Sequence, residues 1–178
     1  MKTVALAVVL CSVLSGAVHA QDNAINPQAP KEFKKLSFCI GKWEVRPQSV
    51  SDDAPPAAKM HAYYVLDGFA LLADYRGLDR NGNVVFRGTS FRTYDTAKGE
   101  YSMKWMVANQ SHYTLITAKM DGDDLVSTGT GRDGQGEFQE RYRFYDIAKD
   151  SYKFKLERSY DNGKSWQVFA LNRYTRVE

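Results

Sequence analysis

The stretch that decides the fold is Glu137-Phe138-Gln139-Glu140-Arg141-Tyr142-Arg143-Phe144-Tyr145-Asp146-Ile147-Ala148-Lys149-Asp150-Ser151-Tyr152-Lys153-Phe154-Lys155-Leu156-Glu157-Arg158-Ser159-Tyr160. Gln139, Arg141 and Arg143 alternate with Phe138, Tyr142 and Phe144, and Lys153, Lys155 and Glu157 alternate with Tyr152, Phe154 and Leu156. A period of two is the mark of a half-buried strand. Ala148-Lys149-Asp150 between the two runs predicts a tight turn, and hence an antiparallel pair. On the parity that points the rings inward, two charges also point inward: Glu140 and Arg158. Opposed residues on adjacent antiparallel strands lie about 5 Å apart. The two charges therefore either pair, as an internal ion pair or ligand anchor, or Arg158 sits hydrated at a barrel end. An unpaired buried charge is strongly destabilising, so a buried Glu140 requires a partner or a ligand.

The same period extends in both directions. Gly41 to Arg46 alternates, with Trp43 and Val45 inward and Lys42, Glu44 and Arg46 outward. Lys59–Leu66 and Phe69–Leu78 flank Asp67-Gly68, a hairpin signal. Asp74 and Arg76 facing out predict Phe69, Leu71, Ala73 and Tyr75 facing in. Runs at Val84–Tyr94, Tyr101–Ala108, His112–Met120, Leu125–Thr130 and Ser165–Arg176 follow, each bounded by Asp, Asn or Gly turns. Lys104 outward places Met103, Trp105 and Val107 inward, whereas the strands starting at Lys59 and His112 have no decisive parity. The total is about ten strands with no crossover long enough for parallel pairing. The expected class is all-β: an antiparallel up-and-down barrel, whose closure removes exposed edges, with a two-sheet sandwich as the alternative.

The chain of 178 residues carries 24 Lys+Arg against 21 Asp+Glu, a formal net charge of +3. No basic run stands out, so no nucleic-acid partner is expected. Met1–Ala20 reads as a signal peptide: Lys2 precedes the apolar stretch Val4–Leu14, and Ala17-Val18-His19-Ala20 supplies a cleavage site after Ala20. The apolar stretch is too short to span a bilayer, so no membrane span is expected. The expected location is exported, either periplasmic or secreted. Residues 21–32 are polar and read as a flexible arm. A short helix carrying Phe33 and Leu36 follows, and residues 33–178 form one barrel domain. Once Cys11 leaves with the signal, Cys39 is the sole cysteine, expected as a buried small hydrophobe in a bacterial envelope or secreted protein.

Phe38-Cys39-Ile40-Gly41-Lys42-Trp43-Glu44 resembles the G-x-W opening of lipocalins and their wider calycin relatives. The resemblance implies that Trp43 caps one end of the barrel beneath an arginine from the last strand, with Arg173 and Arg176 as candidates. Tyr64–Gly68, Gly88–Asp95 and Ser159–Trp166 extend the likeness, over about residues 33 to 176, to mostly uncharacterised secreted bacterial proteins with a lipocalin-like barrel. Haem-binding relatives exist among small ten-stranded barrels, with an axial histidine near the C-terminus. Here the last histidine is His112, so haem is not expected.

Ser159-Tyr160-Asp161-Asn162-Gly163-Lys164-Ser165-Trp166 also matches the Asp-box of sialidase-type propellers. One copy cannot build a propeller, so Asp161, Gly163 and Trp166 read as turn chemistry. The acidic clusters at Asp79–Asn83 and Asp121–Asp124 lack calcium-loop spacing and read as Asx turns, so no metal and no cofactor are expected. No nucleophile, phosphate-loop or zinc motif is present in the sequence. The favoured function is binding of a small hydrophobic or amphipathic molecule in the lumen. Tyr64, Tyr75, Met103, Trp105, Tyr142 and Tyr152 are the expected lining, and Glu140 and Arg158 the expected polar end. The alternatives are a barrel isomerase, lyase or hydrolase using Glu140, His61 or His112, and a filled barrel acting through its surface.

Overall fold

The computed structural model describes residues 24–109 and 113–177; the expected signal peptide with its cleavage site and His112 lie outside the described residues. A 3-10 helix, Phe33–Cys39, leads into ten strands: β1 Gly41–Pro47, β2 Ala58–Val65, β3 Ala70–Leu78, β4 Val84–Asp95, β5 Glu100–Val107, β6 Tyr113–Asp121, β7 Asp124–Asp133, β8 Gly136–Tyr145, β9 Ser151–Ser159 and β10 Gln167–Arg176. Each strand pairs with the next, and β1 pairs with β10, which closes the barrel. Every pairing is antiparallel. No described helix is long and apolar enough to cross a membrane.

The helix plugs the end of the barrel where β1 starts and β10 finishes. Phe33, Leu36 and Cys39 are fully buried there. Trp43, at 1 % exposure, donates its indole N–H to the Cys39 carbonyl at 2.7 Å. Tyr152 stacks on Tyr174 at 4.4 Å between ring centroids and meets Trp43 edge-on at 4.8 Å. Phe38 and Phe144 also pack against Tyr152. The Tyr101 hydroxyl donates to the Glu32 carbonyl at 2.7 Å, tying the helix entry to β5. These aromatic contacts form a dense floor.

Two sequence expectations change here. The segment expected to be a flexible arm is docked from Ala24 onward. Asn26 donates its backbone N–H to the Gly68 carbonyl and its side-chain amide to the Asp67 carbonyl. Gly68 allows this approach, because a Cβ there would lie 2.3 Å from the Asn26 nitrogen. Phe69, expected inward, falls in the four-residue turn between β2 and β3 and is 43 % exposed. The alternation restarts only at Ala70, so the inward set is Leu71, Ala73 and Tyr75 without Phe69.

Candidate functional site

The end of the barrel opposite the helix carries a polar cluster built by β7, β8 and β9. Glu140 and Arg158 stand directly opposite each other in the β8–β9 ladder, and an Arg158 Nη lies 3.1 Å from a Glu140 oxygen. The other Arg158 Nη donates to Asp133 at 3.1 Å, and the Tyr160 hydroxyl donates to the same Asp133 oxygen at 2.8 Å. The Tyr142 hydroxyl donates to the second Glu140 oxygen. The Arg158 guanidinium is sandwiched between two rings, 4.1 Å from the Phe138 centroid and 3.9 Å from that of Phe169. Glu140 is 3 % exposed. Arg158 Nε and the Ser127 hydroxyl are buried without a hydrogen-bond partner. Ser127 opposes Tyr142 on the inner wall.

The electrostatics follow from this burial. Removal from water pushes the Glu140 carboxyl above the usual carboxylate range, although the Tyr142 hydrogen bond and Arg158 pull it down. Burial, then the Glu140 charge, pushes the Tyr142 phenol far up, so it remains a neutral donor. Asp133 is held low by backbone N–H donation from Gln135, then by Tyr160 and Arg158. The result is a buried carboxyl, raised by its burial, next to a fixed cation and a phenol.

Glycines make room for the rings of this end. Gly131 opposes Phe138, and a Cβ on it would lie 2.6 Å from the Phe138 ring. On β4, a Cβ on Gly88 would lie 2.4 Å from the Trp105 indole. Tyr75, Phe86 and Trp105 form a second aromatic group here, with centroids 6.1–6.3 Å apart.

The expected lining residues therefore separate along the barrel axis. Tyr75 and Trp105 form the aromatic wall, and Glu140, Tyr142 and Arg158 the polar wall. Tyr64, Met103 and Tyr152 are buried nearer the floor, Tyr64 against Phe33 of the helix and Tyr152 within the ring stack. His61 is exposed and neighbours Tyr63, whose hydroxyl reaches Asp74; it lies on the outer face and is removed from any interior chemistry.

Of the two arginine candidates, Arg176 covers Trp43, with its guanidinium carbon 4.1 Å from the ring centroid. It also donates to the Ile40, Phe38 and Lys149 carbonyls. Arg173 binds instead the Pro47 and Val50 carbonyls and Asp52, pinning the β1–β2 loop. Asp161 accepts from the Ser159 and Ser165 hydroxyls and the Ser165 N–H. Gly163 adopts φ +84°, and the Trp166 N–H closes onto its carbonyl at 3.1 Å. Arg141 stacks on Trp166 at 4.3 Å. Asp79 accepts from the Asn81 and Asn83 backbones, as an Asx turn does.

One inward charge has no counterpart among the expected residues. Arg92 on β4 is 7 % exposed. Its side chain donates to the Ser90 hydroxyl at 2.9 Å and to the Cys39 sulfur at 3.1 Å. The signal that finds it is register: Asp95 opposes Glu100 across the β4–β5 turn, which aligns Phe91 with outward Lys104 and Arg92 with inward Met103.

The fold and site together define a closed ten-stranded up-and-down β-barrel, with an aromatic floor and an ionic cluster inside its far end. No family model and no curated protein matches the chain.

Proposed function

We propose that this barrel is an exported carrier that holds a small amphipathic molecule in its interior, with the chain before Gln21 serving as the export signal. The supporting observation is the inner wall at the far end. A buried ion pair, a neutral phenol and two unpartnered polar atoms, Arg158 Nε and Ser127 Oγ, stand there inside a barrel that also holds the Tyr75–Phe86–Trp105 group. Buried polar groups without partners are destabilising, and a ligand bearing polar atoms would satisfy them. Aromatic walls with few placed polar groups are what small-molecule sites use.

The test is a titration of tryptophan emission with fatty acids and phenolics, paired with native mass spectrometry of the purified protein. Quenching that disappears in Trp105→Phe supports the proposal. A flat response to every probe, with no co-purified small molecule, overturns it.

A second use of the same site is proton transfer, favoured by the raised Glu140 carboxyl against the Tyr142 hydroxyl. It predicts turnover that Glu140→Gln abolishes while the fold stays intact. Glu140 is instead structural if that variant loses only stability.

A further inference from the structure

The outer wall of the barrel is not uniform. On β1 and β9 the outward positions carry charge: Lys42, Glu44 and Arg46, and Lys153, Lys155 and Glu157. On β5 and β6 that pattern breaks. Their register sets Met106 beside Tyr113 and Lys104 beside Leu115, with Ser102 beside Thr117 one step nearer the helix end. Met106, Tyr113 and Leu115 are 40 %, 54 % and 49 % exposed. The Lys104 ammonium lies 5.8 Å from the Tyr113 ring centroid. Half-buried Thr89 and Phe91 continue this face onto β4, and exposed Thr128 and Thr130 continue it onto β7. Large apolar side chains grouped on the outside of a small barrel add nothing to its core. A contiguous patch of this kind marks a contact surface.

The charges bordering the face select its occupant. Glu100 and Lys119 are the next outward residues toward the helix end of β5 and β6. Neither forms an ion pair among the described residues. A two-fold axis parallel to the strands, running between β5 and β6, would lay β5 of one copy on β6 of a second at equal height. Met106 would then meet Tyr113 of the second copy, the Lys104 stem would cover Leu115, Ser102 would meet Thr117 and Glu100 would meet Lys119. Each contact occurs twice, as two-fold symmetry requires. Apolar falls on apolar, hydroxyl on hydroxyl and anion on cation. An axis along β5 itself would instead oppose Lys104 to its own copy, so the match is specific to the axis between the strands.

We infer that the outer face of β5 and β6 is the contact surface of a two-fold homodimer, with Met106, Tyr113 and Leu115 at its centre and reciprocal Glu100–Lys119 ion pairs at its border. The inference concerns the outer wall and stands whatever the interior holds. Two convex barrels meet here over a small area, so the expected dissociation constant is about 10–100 μM and the dimer is not obligate.

The experiment is sedimentation equilibrium of the purified protein from about 1 μM to about 1 mM, a range that brackets such an affinity. Leu115→Lys sets a like charge against Lys104 of the second copy and is expected to raise the dissociation constant at least about tenfold. Glu100→Lys and Lys119→Glu each bring like charges together and are expected to weaken the dimer, more so at low salt. The double variant Glu100→Lys with Lys119→Glu restores opposite charges and is expected to recover the wild-type association. Val168→Asp, at an exposed apolar position on β10, is expected to leave association unchanged. Circular dichroism establishes that each variant is folded. If Leu115→Lys does not fold, the charge series decides the matter. A wild-type protein that stays monomeric throughout overturns the inference, and cosedimentation of that monomer with phosphatidylcholine vesicles would assign the face to lipid. A dimer that Leu115→Lys leaves intact, or that Val168→Asp abolishes, places the interface elsewhere and overturns it. A dimer weakened by each single charge variant and not recovered by the double variant also overturns it.

Discussion

Arg176 and Trp43 stand directly opposite each other where the barrel closes, one on the last strand and one on the first. The guanidinium lies over the indole, and the same side chain hydrogen-bonds the carbonyl of Phe38 in the helix and that of Ile40 at its junction with β1. One residue thus joins the closing seam to the plug.

Arg176→Met is accordingly expected to cost about 2 kcal/mol, by loss of the cation–π contact and the stranding of partly buried carbonyls. Arg173→Ala, whose ionic partner Asp52 is 89 % exposed, is expected to cost about 1 kcal/mol at most. Urea unfolding followed by far-ultraviolet circular dichroism measures both. Equal losses would show that the two arginines share the seam.

Glu140 predicts a pH signature. Its carboxyl is raised above the ordinary value by burial, so its contribution is fully present below the unfolded-state value and is lost as pH rises through the folded-state value. Stability of the wild-type protein relative to Glu140→Gln is expected to fall with rising pH across the carboxylate range and then level off. Paired denaturation curves measured every half unit from pH 4 to 8 read the slope. A difference that rises with pH would mean that Arg158 outweighs burial at this carboxyl.

Asp161 predicts the opposite sign. The Ser165 hydroxyl, then the Ser165 N–H, then the Ser159 hydroxyl hold it down to about 2 from an ordinary 3.8. Its contribution is present above the unfolded-state value and is lost as pH falls toward the folded one. The stability gap between the wild-type protein and Asp161→Ala is expected to close between pH 4 and 2. A gap independent of pH would show that the turn does not depend on the charge.

Two glycines predict different failures. A Cβ on Gly88 meets the Trp105 ring at 2.4 Å, so Gly88→Ala must displace a side chain, at a cost of about 1–3 kcal/mol, with a shifted Trp105 emission. A Cβ on Gly68 meets backbone atoms of the N-terminal arm, and its φ is +83°. Gly68→Ala is expected to cost more than about 1 kcal/mol and to release the arm to proteolysis before Asn26. Protection of the arm in Gly68→Ala, seen by limited digestion and mass spectrometry, would contradict the contact.

What was legible in the sequence follows from what strand parity encodes. Charges at Lys42, Glu44, Lys153 and Lys155 told inside from outside, and that sufficed to place Glu140 and Arg158 on one inner wall. Parity carries no information about height. Tyr64 and Tyr152 point inward as Tyr75 does, yet they sit nearer the floor, because they lie at the helix-side ends of β2 and β9 whereas Tyr75 lies toward the far end of β3. Phe69 failed for a local reason: the turn takes four residues, so the alternation restarts one residue later. Arg92 was missed because Phe91 and Arg92 compete for the inside, and hydrophobicity alone favours the phenylalanine. Only the β4–β5 register resolves that competition, and it runs against the hydrophobic expectation.

Because β1 pairs with β10, the two most distant parts of the barrel sequence share a ladder. Contacts of such sequence separation form slowly, since a large loop must close before they contribute. The chain cannot complete its barrel until its final residues are available. Loss of β10 would therefore do more than remove one strand, because it would unzip β1 and β9 and leave two free edges able to recruit other chains. A truncation before Gln167 is thus expected to aggregate through those edges, which makes the C-terminal strand a guard against edge-to-edge self-association as well as the means of closure.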